Sequence, residues 1–128
     1  MAILPVGAWY RPGNPVRTRF RRWRRSFGTT YWSAVEPTVH KGETGTATWR
    51  TREFNGVRVR MVDYSPGYLA DHWCSKGHIL LCLAGELHTE LADGRTFVLT
   101  PGMSYQVADN AEAHRSRTAE GVKLFVVD

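Results

Sequence analysis

The sequence predicts an all-β fold, a single small antiparallel barrel or sandwich preceded by a basic N-terminal arm. Three observations carry this expectation. Short stretches alternate apolar and polar residues with period two, as half-buried strands do. Turn signals interrupt them about every 8–12 residues, the spacing of sandwiches and small barrels. No sustained helical periodicity follows residue 40.

The strands are expected in this order. Thr46–Glu53 alternates and runs into Asn55-Gly56, a strong two-residue hairpin signal. Val57–Tyr64 alternates in turn and stops at Ser65-Pro66-Gly67. Leu69–Cys74 and His78–Leu83 are expected to pair through the three-residue loop Ser75-Lys76-Gly77. Glu86–Leu91, the Asp93-Gly94 turn and Arg95–Leu99 form the next hairpin, and Pro101-Gly102 turns the chain into Ser104–Ala108. A polar loop over Asp109–Glu112 precedes a strand beginning at Ala113–Arg117, and Val122–Val127 closes the set. No repeat or linker divides this stretch, so residues 31–128 are expected to form one domain and residues 1–30 an Arg-rich arm.

Composition bounds the class. The chain has 128 residues, with 42% hydrophobic and 12% aromatic side chains, enough for one packed core. The formal net charge of +5 is unevenly placed. Arg11, Arg17, Arg19, Arg21, Arg22, Arg24 and Arg25 all lie in the first 30 residues, which hold no acid. That leaves 10 of the 17 basic residues against all 12 acids in the body. Such an arm would give at most non-specific contacts with nucleic acid, and no membrane partner is expected. Met1–Val6 is too short and Pro-broken for a leader's apolar core, and no run of about 18 apolar residues offers a spanning helix. A cytoplasmic location is therefore expected. Two cysteines, Cys74 and Cys82, are too few for a disulfide framework. In the expected hairpin they also lie too far apart to pair, which leaves Cys82 as a small core residue.

Ligand-type side chains cluster in one short segment. His72 and Cys74 are two apart on an expected strand and so share a face. In the expected hairpin Cys74 stands opposite His78, with Cβ atoms about 4.5–5.5 Å apart, close enough for one ion to join the side chains. Local spacing supplies these three donors and no more.

Gly67, His72, Cys74, His78 and Gly85 resemble the first motif of the cupins: a glycine, His-x-His, an acid three or four residues on, and a second glycine. Cys74 replaces the second histidine and His78 the acid. Gly102 through His114 resembles the second motif, with Ala108-Asp109-Asn110 where Pro-x-Gly is usual and one extra residue before His114. Asp71–His78 in particular resembles a small bacterial group, the DHCW-motif cupin fold proteins, as do His40–Gly45 and Pro101–Gln106. The likeness runs from about Tyr31 to Asp128. It implies a double-stranded β-helix, a jelly-roll-like antiparallel barrel, with a metal inside one mouth and His114 as a fourth ligand. It also implies a homodimer. It implies no particular reaction, because such barrels host many.

Three imidazoles and one thiolate around a dication leave the same net charge as three imidazoles and a carboxylate. The set is softer, however, which favours Zn or Fe as the one divalent transition metal, with Ni or Mn as further candidates. An open coordination position would make the protein a metalloenzyme acting on a small chelating or anionic substrate, of the isomerase or cyclase type with Zn and the dioxygenase type with Fe. A closed tetrahedron would instead make it a structural-zinc protein, or one that binds a small molecule without catalysis. Arg58 and Arg60 share a strand face with Val62 and Tyr64. If that face looks inward, Arg60 could bind a carboxylate or phosphate; if outward, it is solvated. Tyr68, Met103, Tyr105 and Gln106 are the other pocket candidates. Trp73 should point away from its neighbours His72 and Cys74. His88 shares a face with Glu86 and Glu90, as an exposed strand would have it.

Overall fold

A computed structural model describes residues 27–128. The arginines of the expected arm lie outside the described residues. The first described element is a single 3-10 turn, Trp32–Ala34, followed by nine strands. These are β1 (Thr38–Lys41), β2 (Thr46–Phe54), β3 (Val57–Tyr64), β4 (His78–Gly85), β5 (Leu87–Leu91), β6 (Thr96–Leu99), β7 (Ser104–Val107), β8 (His114–Arg117) and β9 (Val122–Val127). They form a six-stranded sheet in the order β1-β2-β3-β9-β4-β7 and a three-stranded sheet in the order β6-β5-β8. Every named pairing is antiparallel. The all-β expectation holds, and the alternating segments became strands close to their expected bounds. Among the described residues, no helix is long and apolar enough to cross a membrane.

The turns follow from residue chemistry. Asn55 and Gly56 adopt φ of 52° and 81°, the left-handed pair of a two-residue hairpin, and they bring Phe54 opposite Val57. Pro101-Gly102 makes a turn in which the Met103 amide donates to the Thr100 carbonyl over 3.0 Å, and Gly102 takes the positive φ of 90° that a type II turn demands. Ser65-Pro66-Gly67 repeats this device, with Tyr68 donating to Ser65 over 3.1 Å.

The expected hairpin of Leu69–Cys74 with His78–Leu83 is not present. β4 is instead flanked by β7 and β9, and residues 69–74 run beside β8. Leu69 bridges Arg117 and Cys74 bridges His114, so five steps of this segment cover three steps of β8. The two surplus residues bulge outward around Asp71-His72-Trp73 and break the period-two alternation there. The amide of Cys74 donates to the His114 carbonyl over 2.8 Å, and that of His114 donates back over 3.0 Å. β8 thereby gains the partner that the three-residue loop Ser75-Lys76-Gly77 had suggested for β4.

The interior is graded along the strands. Arg60, Val126, Leu80 and Tyr105 stand side by side in register across the six-stranded sheet. Toward one end the inward side chains are apolar: Val62, Leu80, Cys82, Leu124 and Val126 pack with Leu87 and Leu99 of the small sheet. Toward the other end the inward positions carry Arg58, Arg60 and His78 instead. Cys82 is a free thiol, fully enclosed, as expected of a small core residue. Leu124 is fully buried at the centre of this cluster. Leu124→Ala is expected to destabilise the protein by about 2–5 kcal/mol, read as a lower urea midpoint at unchanged slope.

Candidate metal centre

The polar end of the barrel encloses a cavity of about 240 Å³. Three donors converge on it from three different pieces of chain. His78 opens β4 in the large sheet, His114 opens β8 in the small sheet, and Cys74 sits on the connecting segment tied to β8. Their ligand-type atoms all lie within 4.8 Å of one another, so the group could bind a metal ion. The two imidazoles meet edge to face, with centroids 4.9 Å apart and planes at 87°.

The backbone explains this convergence. Gly77 runs so close to the loop after β7 that a Cβ there would stand 2.5 Å from the Asp109 nitrogen and 2.7 Å from the Ala108 carbonyl carbon. Only a glycine passes at that distance. The contact is fastened by the Gly77 amide donating to Asp109 Oδ1 over 2.7 Å and by the Asn110 amide donating to the Ser75 carbonyl over 2.8 Å. These bonds hold Ser75-Lys76-Gly77 down and set Cys74 beside both histidines.

His114 is 3% exposed. Its Nδ1 lies 2.9 Å from the Glu112 carbonyl, which can only accept, so Nδ1 carries the proton and Nε2 is left with a lone pair. That Nε2 is buried and has no partner among the described residues. A buried acceptor without a partner costs stability, and a cation beside Cys74 and His78 would satisfy it. The carbonyl bond is also the kind of outer contact that fixes the tautomer of a ligating histidine. His78 Nε2 lies 2.8 Å from the Tyr105 hydroxyl. Burial holds the Tyr105 phenol well above its ordinary range, so it stays protonated. Donor types and geometry fit a transition-metal ion.

The remaining candidates divide. His72 stands outside the converging group: its side chain is 68% exposed and its Nδ1 lies 2.7 Å from Asp71 Oδ1. It still lines the cavity. The outward bulge described above accounts for this placement. Trp73 is exposed, with the Arg115 guanidinium 4.9 Å from its ring centroid. Arg60, Tyr68 and Tyr105 line the cavity. Met103 and Gln106 do not. Met103 Sδ accepts from the Thr100 hydroxyl over 3.3 Å in the turn before β7, and Gln106 lies on the opposite face of β7 from Tyr105, facing a second cavity of about 420 Å³. The face carrying Arg58 and Arg60 looks inward, which decides between the two alternatives for these arginines. Sequence reasoning missed Asp128 and Trp49, both of which line the cavity. Alternation along β2 could have flagged Trp49; nothing local marks Asp128. Outside the site, His88 Nε2 lies 2.7 Å from Glu86 on the outer face of β5, as its strand pattern suggests.

Known proteins enter through their fold. No family profile matches the sequence, and no curated protein matches it. Ectoine synthase from P. lautus matches with a TM-score of 0.62 at 22% identity, over 79% of this chain and 76% of that one. A predicted oxalate decarboxylase from Thermotoga maritima matches with a TM-score of 0.66 at 15% identity, over 78% of this chain and 96% of that one. Fe(II)-HppE with an alternative substrate matches with a TM-score of 0.63 at 17% identity, over 81% of this chain and 60% of that one. These neighbours are cupin-fold proteins, and at such identities the likeness establishes the same fold here.

Burial, and secondly the adjacent His114, depress the His78 imidazole from 6.5 to about 4. At neutral pH the ring is therefore uncharged and keeps a lone pair on one nitrogen, the form in which an imidazole binds a metal. Between about 4 and 6.5 the unfolded chain takes up a proton that the folded state refuses, so stability falls as pH drops through that window. The metal-free protein is expected to show a lower urea midpoint at about pH 4.5 than at about pH 7, and His78→Phe to flatten the difference.

Proposed function

We propose that this cupin-fold chain is a metal-dependent enzyme acting on a small chelating substrate, with the ion held by Cys74, His78 and His114. The observation that supports it is the number of donors. Three protein ligands facing a cavity are the pattern of catalytic zinc sites, whereas structural sites are closed by four. Two neutral imidazoles and a thiolate leave a dication with net +1, suited to an oxygen ligand bearing negative charge.

The bound metal would supply Lewis-acid polarisation of a substrate oxygen, and with iron also redox chemistry. The chain's own residues do the rest. The Glu112 carbonyl fixes the His114 tautomer, Tyr105 orients His78, and Leu80 with Val126 keeps the cavity floor dry. Zinc in this set suits isomerisation or cyclisation; iron suits dioxygenase chemistry. A fold shared with proteins named as a synthase, a predicted decarboxylase and an Fe(II) protein is compatible with either.

His72 separates this reading from a closed structural site, because it lines the cavity outside the converging three and is the donor the cupin resemblance would add to them as a fourth. In protein purified without added metal, elemental analysis is expected to find metal lost from Cys74→Ser and His114→Ala but kept in His72→Ala. Loss in all three would make the site a closed one. Full retention in Cys74→Ser would remove the ligand assignment altogether.

A further inference from the structure

The cavity has a second pole, away from the metal-type donors. Arg58 and Arg60, two apart on β3, share the carboxylate of Asp128, whose side chain is 1% exposed. Arg58 engages both oxygens, through Nε at 2.8 Å and Nη2 at 2.7 Å. Arg60 makes a single hydrogen bond among the described residues, from Nη2 to Oδ2 at 3.1 Å.

A guanidinium has five N–H donors. Nε of Arg60 is buried and has no partner among the described residues, although its side chain is only 12% exposed. One face of the group lies over Trp49, with Cζ 4.9 Å from the ring centroid, which fixes its plane. Among the described residues Asp128 is the only carboxylate lining the cavity, against Arg58, Arg60, Lys76 and Arg115. Lys76 is exposed and Arg115 is answered by Glu90, but holding the Arg58 and Arg60 guanidiniums at the cavity is costly without a matching anion. Two guanidinium groups answered by one carboxylate leave a place for another.

We infer that Arg60, held by Trp49 and Asp128, is a recognition site for a substrate carboxylate, so that the cavity takes a small carboxylic acid whose other oxygens reach toward Cys74, His78 and His114. The second half rests on the metal reading above; the carboxylate site itself does not. A planar N–H fork matches a carboxylate in two parallel hydrogen bonds, and Trp49 holds that fork flat. The cavity's volume of about 240 Å³ is below the 300–1,000 Å³ of sites for drug-sized molecules, which restricts the occupant to metabolite size.

Malonate titrated calorimetrically into the full chain, both loaded with zinc and stripped of metal, tests this. Arg60→Met is expected to bind malonate at least about tenfold more weakly, the loss of one charge-assisted pair, with unchanged metal content. The neutral analogue malonamide should fail to compete. Arg60→Lys keeps the charge but loses the fork, so it serves where the methionine variant does not fold, and it is expected to lose several-fold in affinity. Equal malonate affinity in wild type and a folded Arg60 variant would overturn the proposal. So would malonamide binding as tightly as malonate, or inorganic phosphate binding more tightly. Malonate affinity that still depends on Arg60 in the stripped protein supports the carboxylate site even where the ligand variants have sunk the metal reading. Affinity that needs zinc and ignores Arg60 refutes this site and leaves the metal reading standing.

Discussion

Two backbone hydrogen bonds between Cys74 and His114 hold the candidate centre together. They join a loop of the chain to the first residue of β8 and, in doing so, place a thiol and an imidazole side by side that are 40 positions apart in sequence. Everything else at that end of the barrel is arranged around this pairing. Gly77 presses the loop onto the turn after β7, and the approach leaves no room for a side chain. Asp109 and Asn110 clamp it from the far side. His78 then leaves the loop already facing its partners.

The barrel divides its labour along its axis, and the division follows from alternation. Inward positions along β3, β4 and β9 pass from Val62, Cys82 and Leu124 at the packed end to Arg58, His78 and, just past the end of β9, Asp128 at the open one. The same pleat that builds a core from every second residue builds a polar chamber when those residues change type. Desolvation then acts on whatever is placed there. It strips the proton from His78, keeps the one on Tyr105, and makes each unanswered charge expensive. The chemistry of the chamber is thus set as much by burial as by the choice of side chains.

How much of this could be read from the sequence depends on the range of the interactions. Asn55-Gly56 and Pro101-Gly102 announce their turns because the φ they need is a property of those residues alone, and the strands beside them followed. Cys74, His78 and His114 were legible as donors because few residue types ligate metals. Their convergence was expected, but the strand pairing that produces it was not. A hairpin between residues 69–74 and 78–83 is the simplest local pairing, but the long-range partner β8 won, and the surplus residues that bulge out carried His72 with them. Met103 and Gln106 stand apart from the cavity at the metal-type donors because Met103 is taken up in the turn before β7 and Gln106 alternates with Tyr105 along that strand, lining the second cavity instead. Asp128 gave no signal, since an acid acquires meaning there only from two arginines about 70 positions earlier.

The donors come from both sheets, one imidazole from the six-stranded layer and one from the three-stranded layer. Their separation is therefore a measure of how tightly the two layers are shut. Any breathing motion that lets the layers drift apart at this rim dismantles the cluster before it disturbs the apolar floor, and any ion or molecule that grips both imidazoles acts as a latch on the whole mouth. Closure of the barrel and integrity of the centre are one coordinate, seen from two sides.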